Sequence, residues 1–114
     1  TDPRHATQLH SRSGLAYMRA EDITDAEKQY GIALTLEPDD PDIWVDRATE
    51  RAGNDNFWDA VSDLNHALSI EPDFVDALRL RGQCWLKLGN SKNALADFNL
   101  AEQIEADEQA KKKK

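Results

Sequence analysis

Residues 90–105, with the sequence NSKNALADFNLAEQIE, decide the fold of this chain because their pattern occurs three times. Their apolar positions follow one another at steps of three or four residues: Ala94, Phe98, Ala101 and Ile104. The positions 34 and 68 residues earlier are again apolar and of similar size: Ala60, Leu64, Ala67 and Ile70, then Ala26, Tyr30, Ala33 and Leu36. Helical spacing that repeats at one fixed period predicts an array of helical repeats.

Helix boundaries repeat with the same period. Good N-cap residues occur at one point in each copy, namely Asp22, Asn56 and Asn90. Asp40 and Pro41 add a second start signal, since proline is favoured at the first helical position. The chain is therefore predicted to be all-α, without strands, and to form six helices in three antiparallel hairpins. Their approximate bounds are 3–20, 23–36, 41–53, 57–70, 74–88 and 91–106.

Charge excludes one large class of partners. The 114 residues carry a formal net charge of −8. Residues 111–114 hold four of the 14 basic residues, so residues 1–110 carry ten basic against 22 acidic ones, a net charge of −12. Nucleic-acid binding needs clustered Lys and Arg and is not expected. An acidic body attracts basic protein partners at low salt.

Targeting signals and cysteine content are uninformative about compartment. No apolar run approaches the roughly 20 residues that span a bilayer, so membrane insertion is not expected. The chain begins at Thr1 and shows no signal-peptide pattern. An excised fragment and a processed exported protein are both left open, and a soluble protein is expected, with the cytoplasm slightly favoured. The single cysteine, Cys84, excludes an internal disulfide bond.

The three copies resemble the tetratricopeptide repeat, a 34-residue helix–turn–helix unit. The resemblance rests on the family's small, aromatic and closing residues: Gly14, Tyr17, Ala26, Tyr30, Ala33, Pro38, Trp44, Gly82 and Trp85. It covers repeats 7–40, 41–74 and 75–108 of one domain, residues 1–110, followed by a basic tail, 111–114, that is expected to be disordered. Arg51 stands where an aromatic residue is usual, so the first helix of the second repeat is expected to pack more loosely.

The resemblance implies a right-handed α-solenoid whose concave groove is lined by the first helices and binds a peptide or helix of another protein. The expected role is that of a non-enzymatic adaptor or scaffold. Carried over by position, the groove residues are Gln8, Ser11, Arg12, Leu15, Asp42, Val45, Asp46, Thr49, Asp76, Arg79, Leu80 and Gln83. Because Asp42, Asp46 and Asp76 are acidic, the expected ligand is basic or of mixed charge.

One subgroup of the family holds the C-terminal tails of heat-shock chaperones with a clamp of Lys, Asn and Arg. The corresponding residues here include no cation and no asparagine: Ser11, Leu15, Asp46, Asp76 and Leu80. Two of them are acidic and repel a carboxylate. Binding of a chaperone tail is therefore not expected.

Residues that carry chemistry are sparse. A zinc site needs three or four converging ligands, and His5 and His10 have no evident third partner. His66 is expected on the exposed side of a second helix, and Cys84 is expected to be a buried, inert thiol. No phosphate loop or nucleophile motif occurs. No enzymatic activity, metal or cofactor is expected.

The C-terminal end suggests an alternative role. Repeat arrays usually end in a polar capping helix, and only eight residues follow Ala106. Leu95, Leu100 and Ile104 are therefore expected to leave apolar surface on the last helix. Three outcomes are expected for this surface: it packs on another copy, it docks a partner, or the natural protein continues past this fragment. The alternative function is a structural assembly unit that self-associates through these residues into a homo-oligomer.

Overall fold

The computed structural model describes the backbone of residues 13–112 and the side chains of residues 25–112. Between Ser13 and Lys112 the chain is helical apart from short connections, and no strand occurs among these residues. The five helices are α1, Ser13–Leu36; α2, Pro41–Gly53; α3, Phe57–Ile70; α4, Val75–Lys87; and α5, Ser91–Lys112.

Local residue chemistry sets where these helices begin. The Asp40 side chain accepts a hydrogen bond of 2.9 Å from the backbone N–H of Asp42, and Pro41 opens α2. The Asn90 side chain accepts one of 3.0 Å from the backbone N–H of Asn93 at the start of α5. Asn56 stands at the N-cap position of α3, but its side chain makes no capping hydrogen bond. Capping side chains thus satisfy otherwise unpaired backbone donors at two of these three helix starts.

Two tight turns close the hairpins α2–α3 and α4–α5. Asp55 and Gly89 lie 34 residues apart and both adopt positive φ angles, of 66° and 84°. This left-handed conformation suits glycine, and it is tolerated by aspartate better than by most side chains. The same repeat position produces the same turn in both hairpins.

The first predicted hairpin is not formed within the described residues. α1 runs without a break from Ser13 to Leu36, so the expected turn and the N-cap at Asp22 are wrong. The turn position is occupied here by Glu21, which is less suited to positive φ than Asp55 or Gly89, and neither glycine nor proline lies near it. The predicted helix start near residue 3 lies outside the described residues.

The C-terminal helix runs beyond its approximate predicted bound into the tail, as the alanine in place of a closing proline at position 106 allows. α5 continues past Ala106 to Lys112, since no proline closes this repeat. The sequence predicts a separate tail from residue 111, whereas Lys111 and Lys112 are the last residues of α5. Two lysines at a helix C-terminus interact favourably with the helix dipole.

Each helix packs against its neighbours in the chain, and α2 also contacts α4. The small residues that recur in the repeats are fully buried: Ala48, Ala60, Ala67, Ala94 and Ala101. Gly82 of α4 is packed so closely against α5 that an added Cβ would lie 2.7 Å from the ring of Phe98. The predicted close approach at a small residue is therefore confirmed in the α4–α5 hairpin, and in the α2–α3 hairpin the corresponding Ala48 is fully buried.

Buried ion pairs also join the helices of each hairpin. Arg47 of α2 donates hydrogen bonds of 2.8 and 3.1 Å to Asp63 of α3. Arg81 of α4 makes the equivalent pair with Asp97 of α5, at 2.8 Å for both bonds. These charged residues repeat at the 34-residue period, which is a sequence signal separate from the apolar pattern.

Arg51 corrects the expectation of loose packing in the second repeat. Its guanidinium donates hydrogen bonds to Asp63 of α3, at 3.1 Å, and to Glu27 of α1, at 2.9 and 3.2 Å. The Arg51 side chain is only 16% exposed. An arginine at this aromatic position therefore connects three helices.

Candidate functional site

The structure places eight of the predicted groove residues on the neighbouring helices α2 and α4. Within each helix they follow the spacing i, i+3, i+4 and i+7, which puts four side chains on one helical face. We call this surface the α2–α4 face; it consists of Asp42, Val45, Asp46 and Thr49 on α2 and Asp76, Arg79, Leu80 and Gln83 on α4. Val45 and Leu80 are half-buried and pack against the core, while the six polar residues are exposed.

Acidic side chains dominate the charge of the α2–α4 face. Among the described side chains, Asp42, Asp46 and Asp76 take part in no ion pair. The cation of this face, Arg79, is paired with Glu105 of α5. The net effect is a surface with three unneutralised carboxylates.

Tyr30 of α1 responds to the charge of these carboxylates. Burial raises the pKa of its phenol above the ordinary value, and the nearby carboxylates of Glu50 and Asp46 raise that pKa further. A negative potential disfavours loss of the phenol proton. The negative potential of the α2 carboxylates therefore reaches a side chain of α1.

The remaining predicted groove residues cannot be placed in the same way. Gln8, Ser11 and Arg12 lie outside the described residues. Leu15 lies in the first half of α1, where only the backbone is described. Of the five positions that correspond to the chaperone-tail clamp, the structure therefore places Asp46, Asp76 and Leu80.

An aromatic cluster at the start of α2 was not anticipated from the sequence. The ring of Trp44 stacks on His66 of α3, with the ring centroids 4.3 Å apart, and Arg47 lies 5.2 Å from the Trp44 ring. The Trp44 indole also donates a hydrogen bond of 3.0 Å to the carbonyl of Pro38. His66 is exposed, as predicted, but it serves as a packing partner for Trp44.

The apolar residues predicted for self-association do not form one stripe. Leu95 is 60% exposed, Leu100 is 46% exposed, and Ile104 is half-buried. Leu95 and Leu100 are five residues apart, which turns them by about 140° around the helix. They therefore lie on different sides of α5.

One side of α5 is more polar than the same side of α3. In α3, Phe57 and Leu68 pack against the core, and Trp58 contacts Trp85 of α4 edge to face. Thirty-four residues later these three positions hold polar residues: Ser91, Lys92 and Glu102. A polar outer side is typical of a terminal repeat, so self-association through Leu95, Leu100 and Ile104 remains only a prediction.

Groups suited to catalysis or metal binding do not converge in the described part of the chain. Within it, no three His, Cys, Asp or Glu residues are arranged to hold a metal ion. His5 and His10 fall outside it. None of the described helices is both long enough and apolar enough to cross a membrane.

Cys84 is buried, with 1% of its surface exposed, and burial raises the pKa of its thiol. We expect Cys84 of the native protein to react with a disulfide reagent at pH 8 about a hundredfold or more slower than Cys84 of the protein unfolded in urea. Burial restricts the access of the reagent to the thiol, and the raised pKa leaves little of the reactive thiolate. The absorbance of the thiol that the reagent releases measures this rate. A Cys84→Ser, Ser62→Cys variant moves the thiol to an exposed position of α3 and should react rapidly. Equal rates in the two native proteins would contradict the burial of Cys84.

Sequence comparison finds curated relatives that are much longer than this chain. DnaJ homolog subfamily C member 7 of Mus musculus is 24% identical over 104 residues. The match covers 91% of this chain but only 21% of that relative. The function of the whole relative therefore does not transfer to this chain.

Solved structures share the helical architecture. The crystal structure of MamA superposes with a TM-score of 0.75 at 18% identity, over 85% of this chain and 57% of that one. The first TPR of Spaghetti (RPAP3), bound to the HSP90 peptide SRMEEVD, superposes with a TM-score of 0.71 at 23% identity, over 93% of this chain and 83% of that one. At such identities the likeness shows the fold alone.

A family model supplies the assignment. The tetratricopeptide repeat model matches residues 12–49 and 45–110, which together span nearly the whole chain. The 34-residue period, the two described hairpins and their buried small residues agree with that match. The chain belongs to the tetratricopeptide repeat family.

Proposed function

We propose that the chain is a non-enzymatic protein-interaction module whose α2–α4 face binds a basic or mixed-charge peptide or helix of a partner protein. The tetratricopeptide repeat is a protein-interaction fold, and structures of related folds contain bound peptides. The observation that carries the charge preference is the set of unpaired, exposed carboxylates of Asp42, Asp46 and Asp76.

Geometry supports a ligand that contacts both helices. Asp42 and Asp46 are one turn apart on α2, and Asp76 lies on α4 at the repeat position of Asp42. Between these carboxylates, Val45 and Leu80 supply partly buried apolar surface. Cationic side chains of the ligand would meet the carboxylates, and an apolar side chain would meet the centre of the face.

The chaperone-tail peptide is the sharpest test of this charge preference. SRMEEVD is bound by the first TPR of Spaghetti, and the comparisons do not exclude such a ligand for this chain. Three carboxylates on the α2–α4 face should repel the acidic residues and free carboxylate of that peptide. We therefore assign the face to cationic ligands and treat SRMEEVD as the opposing probe.

The experiment compares SRMEEVD with its charge-inverted counterpart SEMKKVR, amidated at the C-terminus, by titration calorimetry at low salt. We expect the native chain to bind SEMKKVR more tightly. The Asp46→Lys, Asp76→Lys variant should lose at least about tenfold in affinity for SEMKKVR and gain affinity for SRMEEVD. The opposite shifts are expected because two carboxylates become two cations.

The matched control places the same charge change on another surface. Asp59 on α3 and Asp107 on α5 are exposed, do not belong to the α2–α4 face and take part in none of the described ion pairs, so the Asp59→Lys, Asp107→Lys variant provides an identical net charge. It should change either affinity by no more than about threefold, through long-range attraction alone. Tighter native binding of SRMEEVD than of SEMKKVR, or equal effects of the two double variants, would refute the proposal.

A further inference from the structure

α1 has less cover than the other second helices of the array. In α3 and α5 the alanines that face the first helix of the same repeat are at most 1% exposed: Ala60, Ala67, Ala94 and Ala101. At the same repeat positions in α1, Ala26 and Ala33 are only half-buried. Leu36 is 76% exposed, whereas its counterpart Ile70 is 37% exposed.

The cause is the continuous course of α1. α3 and α5 are covered by α2 and α4 through the two hairpins. Among the described helices α1 contacts only α2, which belongs to the following repeat. Within the described residues, the side of α1 that carries Ala26, Tyr30 and Ala33 therefore has no first helix of its own repeat to pack against.

Residue sizes indicate which helix fits this side. In the third repeat the large Phe98 requires a glycine opposite it, because a Cβ on Gly82 would lie 2.7 Å from the ring. In the second repeat, the smaller Leu64 is combined with Ala48, and both are fully buried. The first copy pairs a large ring with glycine again, since Tyr30 and Gly14 occupy these two repeat positions. The helical segment around Gly14 is therefore the size-matched partner for Tyr30.

This segment cannot reach Tyr30 of its own chain while α1 is continuous. Positions 14 and 30 of one helix are separated by about 24 Å along its axis. A second copy of the chain can provide the missing contact, and the first copy provides the same contact in return. Such a reciprocal exchange of one helical segment has two-fold symmetry. We propose that two copies exchange the first half of α1, so that residues 13–20 of each copy pack against the side of α1 in the other copy that carries Ala26 and Tyr30.

The proposed pairing makes a prediction at its centre. When position 14 of one antiparallel helix meets position 30 of the other, position 22 meets position 22 at the two-fold axis. Two aspartates would then approach each other, and like charges there weaken the dimer. Replacing Asp22 with alanine removes this repulsion and also favours the continuous helix, because alanine is the better helix former.

The test measures molar mass by light scattering after size exclusion, from about 1 to 200 µM, a range that brackets micromolar dissociation constants. We expect the native mass to rise from 12.9 kDa toward twice that value. Asp22→Ala should lower the dissociation constant at least about tenfold. Glu21→Gly, Asp22→Asn copies the Gly89–Asn90 turn, so it should close the first hairpin within one chain and give a monomer throughout.

Controls separate this exchange from other forms of association. Leu95→Ser, Leu100→Ser removes exposed apolar surface from α5 and should leave the mass curve unchanged. Circular dichroism confirms that each variant is helical. A native monomer at every concentration, a dimer that persists in the Glu21→Gly, Asp22→Asn variant, or a dimer weakened by Asp22→Ala would overturn the proposal. Peptide binding on the α2–α4 face is measured independently of all three outcomes.

Discussion

Replacing Asp63 with alanine is expected to destabilise the protein by about 3 kcal/mol, because it removes one side of a buried ion pair. Asp63 is 1% exposed and accepts hydrogen bonds from both Arg47 and Arg51. Without it, the two guanidinium groups, whose side chains are 18% and 16% exposed, lose their shared partner. Urea unfolding followed by circular dichroism measures the loss of stability.

Two other aspartates provide graded comparisons for this substitution. Asp97 is the counterpart of Asp63 in the third repeat, but among the described side chains it pairs with Arg81 alone. Asp97→Ala should therefore cost less than Asp63→Ala, about 2 kcal/mol. Asp59→Ala, at an exposed position of α3, should change stability by less than about 0.5 kcal/mol. A loss for Asp63→Ala no larger than that for Asp59→Ala would contradict the assigned role of the ion pair.

Gly82→Ala is expected to destabilise the protein by about 1–2 kcal/mol, although alanine is the better helix former. The new methyl group would lie 2.7, 2.9 and 3.0 Å from three atoms of the Phe98 ring. Carbon atoms pack best at about 3.5–4.0 Å, so the ring or α4 must shift. Thermal unfolding should show a lower Tm for this variant.

The second repeat shows which substitution should compensate for Gly82→Ala, and a glycine of α1 provides the control substitution. Ala48 and Leu64 are both fully buried at the positions of Gly82 and Phe98, so Gly82→Ala, Phe98→Leu should be more stable than Gly82→Ala alone. At Gly31, inside α1 and five residues before its end, an added Cβ meets nothing within 4 Å. Gly31→Ala should therefore stabilise the protein by about 0.5–1 kcal/mol. Destabilisation by both alanines alike would show that contact with Phe98 is not the cause.

Most of the fold is predictable from the sequence because its signals are local and repeat three times. Apolar spacing within 16 residues predicts α3 and α5, and Asp40 and Pro41 predict the start of α2. The exception is α1, where an N-cap residue at Asp22 suggests a turn. Continuous helix prevails there because Glu21 replaces the residues that adopt positive φ in the two later turns.

The candidate site is less predictable, because charge on a surface depends on which side chains meet. Helical spacing places Asp42 and Asp46 on one side of α2, and the repeat period places Asp76 on α4. The sequence pattern does not show that Arg79 is paired with Glu105. This pairing leaves the α2–α4 face acidic. The partners of Arg51 are likewise invisible locally, because Glu27 and Asp63 lie 24 and 12 residues away in sequence.

Periodicity and composition alone therefore specify an acidic, all-helical repeat protein with alanines at its helix contacts. The packing of the helices decides which charges remain free, which arginines are neutralised, and which side of α1 is left half-covered. The physical reason is the separation in sequence between the residues that interact. Helix formation and capping depend on residues within a few positions of each other, whereas ion pairing and burial depend on contacts between helices that the folded chain brings together.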